Sequence, residues 1–448
     1  MKRMFRYLII FILLICSFMA LLTITSCISS KSMFNNVEES SQLLLEEGNR
    51  KIIYIPYRRT KMEFDNYTDA LMINTAYSID SRKPLFSAFM ARKNFIPDVT
   101  TEVYQDQAGE LKSSSKYKYH NEVGELNDLV NNEKAESFEY ARYWHGYLII
   151  LRPLLVMFNL TQIRTILTCI LIILFIFFII LLYKKSDIVT AIIFSTCLLG
   201  IEYFYLGFSM QGIFIFLIMM IASIIILCKY SKIKSYGMFF FIIGMLTNFF
   251  DFLTVPVLTY AIPMIILFTI KYTKENFEIK LILKKILVLG IAWSVGYGLT
   301  WTSKWLLTDL IFGRKMFFTA LKQVFYRSAG TEKINIFNVI NQNINYMYVS
   351  FFISIFFTVL TILIKIWIEN KKIKFKEQNT KDTYDIIFIY LLIGIIPIAW
   401  YALLRNHSYY HAFFTYRNLL VSNVCINLSI KKIFDFLTEK EEQNEKEI

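Results

Sequence analysis

The chain has 448 residues, 56% of them hydrophobic and 17% aromatic, with a formal net charge of +13. Apolar runs near twenty residues recur; about 20 apolar residues in a helix cross a bilayer's hydrocarbon core, so a soluble globular domain is excluded, and a barrel is excluded because its short alternating segments are missing. The placement of charge excludes a nucleic-acid groove: residues 28–145 hold 15 Lys/Arg and 18 Asp/Glu, a net of −3, while the remainder is net +16, largely in short connections between apolar runs.

Lys2, Arg3 and Arg6 precede the apolar run 7–25, which places the N-terminus on the cytoplasmic side and the following stretch outside. A cleaved signal is the competing reading, since Ile24-Thr25-Ser26-Cys27 resembles a lipoprotein box. Further spans are expected over 164–183, 188–208, 211–228, 236–252, 254–270, 284–301, 346–367, 384–403 and 413–430. Lysine-rich exits such as Lys184-Lys185, Lys371-Lys372 and Lys431-Lys432 fall on one side, which puts 28–163, 302–345 and 404–412 on the other.

The expected fold is therefore an all-α integral membrane protein of about ten transmembrane helices. Its parts are an anchor (1–27), a mainly helical extracytoplasmic domain with an interfacial helix (28–163), spans two to seven (164–301), a second extracytoplasmic segment (302–345), spans eight to ten (346–430) and a charged cytoplasmic tail (431–448). The six cysteines lie in or beside apolar runs, with no zinc or disulfide spacing, and are expected to be buried and inert. All four histidines, His120, His145, His407 and His411, fall outside.

Four constellations on or near the outer side carry chemistry. In EFDNYTDALMINTAYSID, Asp65 caps a helix and Asp69 follows four residues later on nearly the same face. One acid suits a general base toward an acceptor hydroxyl, while its neighbour binds a divalent cation or holds geometry. The competing role is a cap plus a first-turn acid favoured by the helix dipole. YARYWHGYLIILRPLL, residues 140–155, mixes Arg142, Tyr143, Trp144, His145 and Arg152 with aliphatics, as an interfacial helix does. Its arginines suit a lipid phosphate and its rings suit sugar faces.

RNHSYYHAFFTYRN, residues 405–418, crowds Arg405, His407, His411 and Arg417 onto one short turn, against the prevailing charge bias; an anionic lipid phosphate supplies a reason. The two histidines are four apart without matching zinc partners. Asp251, near the outer end of the fifth span, is an intramembrane acid that faces a cavity or a partner. Glu202 and Arg327 are weaker candidates of the same kind.

An inward-anchored helix, a large acid-bearing first loop, an interfacial helix and a bundle together resemble the C-class glycosyltransferases, which use polyprenyl-phosphate sugars. The blocks DNYTDALMINTAY, YARYWHGYLIILRPLL and NHSYYHAFFTYRN also resemble those of uncharacterised polytopic membrane proteins of low-GC Gram-positive bacteria, some associated with surface-polysaccharide gene clusters. The resemblance implies a donor sugar on polyprenyl phosphate and a surface-glycan acceptor, with no nucleic acid. It gives Asp65 or Asp69 the role of base, and Arg405, His407, His411 and Arg417 the phosphate. In that class the acid usually follows the first span closely, whereas here it comes about forty residues later. The alternatives are a flippase or transporter of lipid-linked saccharide, and a non-catalytic scaffold of envelope assembly.

Overall fold

A computed structural model describes residues 2–54, 60–95, 101–105, 111–115, 121–131, 136–273, 278–369 and 380–438. His120, Lys371, Lys372 and the end of the tail lie outside the described residues. The chain starts with α1 (Lys2–Ser26) and continues into a head built of α2 (Phe34–Glu47), β1 (Arg50–Ile53), β2 (Met62–Asp65), α3 (Asn66–Tyr77), α4 (Pro84–Met90), β3 (Lys93–Phe95), β4 (Thr101–Gln105), β5 (Leu111–Ser115), α5 (Glu122–Asn131), β6 (Glu136–Phe138) and α6 (Leu148–Met157). The strands pair antiparallel as β1-β2, β3-β6 and β4-β5, a small addition to the mainly helical domain expected there.

The bundle follows: α7 (Leu160–Lys185), α8 (Ile188–Gly200), α9 (Met210–Lys229), α10 (Tyr236–Phe250), α11 (Leu258–Leu267) and α12 (Ile279–Phe312). After it come α13 (Met316–Ser328), α14 (Ile336–Ile368), α15 (Thr380–Gly394), α16 (Ile396–Leu403), the short α17 (Arg405–Tyr410) and α18 (Ala412–Thr415), and α19 (Leu420–Thr438). Among the described residues five helical segments are long and apolar enough to cross a membrane: Met4–Ser26, Leu160–Lys185, Met210–Lys229, Ile336–Ile368 and Lys381–Leu403. The protein is thus a mainly helical membrane protein.

Of the other expected spans, 188–208, 236–252 and 254–270 form shorter helices, whereas 284–301 lies within the 34-residue α12. The run 188–208 breaks because Glu202 takes a left-handed backbone at φ 54°, which ends α8 and starts a 3-10 turn at Tyr203. The run 413–430 opens with α18 and a second 3-10 turn before α19 begins. Cys16, Cys27, Cys169 and Cys228 are exposed rather than buried; only Cys197 and Cys425 are enclosed.

The head is tied to the bundle by caps. Asn159 and Gln162 form a capping box at the start of α7, and Ser40 Oγ of α2 accepts from Leu160 N at 2.9 Å. Helices α10 and α12 approach so closely that a Cβ on Gly244 would strike the Trp293 carbonyl, and one on Gly296 the Phe241 carbonyl. Gly296→Leu is expected to destabilise the protein by roughly 1–3 kcal/mol through overpacking. The melting temperature in detergent checks this.

Candidate functional site

Strand β2 and helix α3 deliver the two acids to one end of the bundle. Asp65 ends β2 and caps α3: one carboxylate oxygen accepts from Thr68 N at 3.1 Å, and the other from Thr68 Oγ1 at 2.7 Å and Gln211 Nε2 at 2.9 Å. Asp69 is fully enclosed. One of its oxygens accepts from Met210 N at 2.8 Å, capping α9 from another part of the chain, and the other from the Arg164 guanidinium at 3.3 Å. Arg164 also donates to Glu47 and to Asn66 Oδ1, each at 2.9 Å. The two acids therefore separate in role: Asp69 docks the head onto the N-terminal ends of α7 and α9.

Asp65 instead lines a cleft, together with Glu63, Tyr205, Gln211, Phe414 and Arg417 among others. Arg417 is 9% exposed. Its Nε donates to the Ile201 carbonyl at 3.2 Å, and its guanidinium lies 4.9 Å from the centre of the Tyr416 ring. Its two terminal amino groups have no protein partner among the described residues. Arg50 closes the rim, paired with Glu63 at 3.0 Å and lying 5.1 Å from the Phe413 ring, so β1 touches the final hairpin directly. A buried guanidinium with unused donors in the wall of a cleft suits an anion.

Burial is the first cause acting on both acids. It raises the Asp65 carboxyl above its ordinary value against the hydrogen bonds from Thr68 and Gln211 and the charge of Arg50. It pushes Asp69 up to about 7, with Arg164 and the Met210 N–H pulling the other way. A raised carboxyl makes the native state bind protons that the unfolded chain has released, so stability falls as pH rises from about 4 to about 7, and the loss is complete above that. The melting temperature is expected to decline between pH 5 and pH 8, and the decline to flatten in Asp69→Asn.

The remaining expected site residues do not join the cleft. Arg152 is fully buried and donates to the carbonyls of Thr25 (3.0 Å), Ala76 and Ile28, binding the ends of α1 and α3 together. Those donors are then not available to a phosphate. Trp144 is 1% exposed. It packs against Phe18, Phe89 and Phe249 while its Nε1 donates to Thr300 O at 2.7 Å, leaving no face for a sugar. Tyr143 lies beside Trp301, and His145, at φ 55°, bonds through Nε2 to the Tyr140 carbonyl at 2.7 Å. Burial, with the charges of Lys304 and Arg142, lowers His145 to about 3. Arg142 is buried, its guanidinium close to the Tyr140 and Tyr143 rings.

His407 is buried, bonded through Nε2 to the Leu253 carbonyl at 2.7 Å and through Nδ1 to Arg327 at 3.3 Å. That pattern assigns the neutral tautomer with Nε2–H donating. Burial holds its pKa well below the ordinary value, assisted by His411 and Arg327. His407 thus braces the loop after α10 rather than offering a cation, and His411 lies tilted beside it with ring centres 4.6 Å apart. Arg405 lies against Gly330, away from the cleft lining. Asp251 accepts from Thr254 N and Oγ1, both at 2.8 Å, and from Tyr297 OH at 3.2 Å, fixing the same loop. Among the described residues no group of three His, Cys, Asp or Glu is placed to hold a metal ion.

Glu63, Gln211 and Arg164 are the residues that sequence reasoning passed over. Arg164 carried a signal, because it is a cation at the outer end of an expected span, against the charge bias. The chain matches no family model, and no curated protein or solved structure is similar to it.

Proposed function

We propose that this protein is a membrane glycosyltransferase that moves a sugar from a polyprenyl-phosphate carrier onto a cell-surface glycan on the extracytoplasmic side. One observation carries the reading: Asp65 from the head and Arg417 from the last hairpin line the same cleft. In the proposed step Asp65 takes the proton of an acceptor hydroxyl as its oxygen bonds to the anomeric carbon. The bond from that carbon to the phosphate oxygen breaks, and its electron pair leaves with the phosphate, held by Arg417. A single displacement inverts the configuration. A carboxyl whose pKa burial has raised suits a base.

The finer topology belongs to the same reading: about ten spans, both termini cytoplasmic, and the head outside. Its support is the lysine bias of the short connections, and the way the head joins the end of α1 and the starts of α7 and α9. Asp65→Asn is expected to lower transfer from a polyprenyl-phosphate sugar in proteoliposomes by about 10²–10⁴-fold. Unchanged turnover in that variant would refute the base.

A lipid-linked saccharide flippase is the second reading. A buried amide seam favours it: Ser354 Oγ donates to Asn423 Oδ1 at 2.8 Å, Asn427 donates to the same oxygen at 2.9 Å, and Asn343 bridges to the Ser408 carbonyl at 3.0 Å. Translocation that persists in Asp65→Asn, with no transfer in the parent protein, would select it.

A further inference from the structure

The segment between α12 and α14, polar in composition, contains an amphipathic helix with an uncovered aromatic face. Asp309 starts α13 by accepting from Met316 N at 2.5 Å and Phe317 N at 3.1 Å. Ala320 and Gln323 face inward and are buried. Phe318 and Phe325 are each 67% exposed. Seven residues apart, they share one helix face with Lys322 between them.

Exposed apolar residues flank this helix along the chain on both sides. Leu310, near the end of α12, is 82% exposed, and Phe337, at the start of α14, is 78% exposed. Exposed aliphatics run down α12 from Leu306 to Leu287, and exposed aromatics and aliphatics run down α14 from Phe352 to Trp367. Between those two stripes, residues 314–333 carry five Lys/Arg and one Glu. The exposed side chains of Lys315 and Lys322 are in no ion pair among the described residues.

We infer that α13 lies in the headgroup layer of the bilayer, with Phe318 and Phe325 among the acyl chains and Lys315 and Lys322 on the phosphates of anionic phospholipids. The physics is that of interfacial helices, in which rings bury in the acyl boundary while lysines reach up to the phosphates. The inference does not depend on the proposed transfer reaction. It also gives the helix a second function, since its C-terminal Arg327 reaches His407: α13 links the lipid surface to the loop that His407 braces.

The test uses the full chain in nanodiscs of equal phosphatidylglycerol and phosphatidylcholine, with the photoreactive p-benzoylphenylalanine at position 318 or 325, where an aromatic already stands. Irradiation is expected to give phospholipid adducts by mass spectrometry at both positions, and none with the probe at Arg82, whose side chain is 87% exposed on the head. Phosphatidylglycerol should dominate the adducts, and Lys322→Glu should cut its excess about fivefold. Adducts joining two protein chains, or no adduct above the Arg82 level, would overturn the inference. Equal capture of the two lipids in the parent protein would overturn the role of the lysines.

Discussion

Arg164→Met is expected to produce the largest loss of stability of any single change at the junction of head and bundle. The guanidinium is buried and answers Asp69, Glu47 and Asn66 together. Without it the enclosed Asp69 has no cation, while Glu47 keeps Lys51 at 2.7 Å. Breaking a buried pair from one side costs about 3–5 kcal/mol, because the abandoned charge must protonate or draw in water. Asp69→Asn should cost less, since an amide oxygen still accepts from Met210 N and Arg164 keeps Glu47 and Asn66. Thermal unfolding of both variants and of their double mutant checks this, and the double mutant should fall well short of the sum of the two losses. Limited proteolysis should cut the head of Arg164→Met first, because that residue joins α3 to α7.

Arg417→Ala is expected to have the largest effect on activity with little effect on folding. Its protein contacts are one bond from Nε to a carbonyl and a ring contact with Tyr416. Losing one such hydrogen bond costs about 1 kcal/mol. In the proposed reaction its two remaining amino groups stabilise the departing phosphate, a kind of contribution worth roughly 10²–10³ in turnover. Arg417→Lys should recover only part of this, since an ammonium cannot engage two phosphate oxygens as a planar fork does. Transfer rates in proteoliposomes, compared with melting temperatures of the same preparations, separate the two effects.

Much of the fold was legible because the bilayer demands it. Runs such as 164–183 and 211–228 read as helices from apolar length alone, and α7 and α9 contain them. Other features depend on single residues or distant partners. Nothing near Glu202 announces a left-handed backbone, so the break after α8 is invisible in the sequence. Helix α13 was hidden by its charge, which made 302–345 read as a polar connection. The acids were legible as a pair, but their difference was not: Asp69 meets Arg164 from 95 residues away, and Asp65 meets Gln211 from 146 residues away. The block around Trp144 reads as interfacial because rings and arginines mix there, yet its rings close a core between the head and α12. Arg152 shows the same limit, since a cation that satisfies helix-end carbonyls has the same sequence signature as one that binds phosphate.

The central claim is that a carboxylate of the head and a guanidinium of the last hairpin enclose one lipid-phosphate headgroup. Calorimetric titration of the detergent-solubilised full chain with a short-chain prenyl phosphate tests it most directly, comparing parent, Arg417→Ala and Arg405→Ala. The account predicts saturable binding by the parent, binding at least about tenfold weaker in Arg417→Ala as expected for a lost charge-assisted contact, and near-parent binding in Arg405→Ala. Equal affinity in the parent and Arg417→Ala, with both correctly folded, would contradict it.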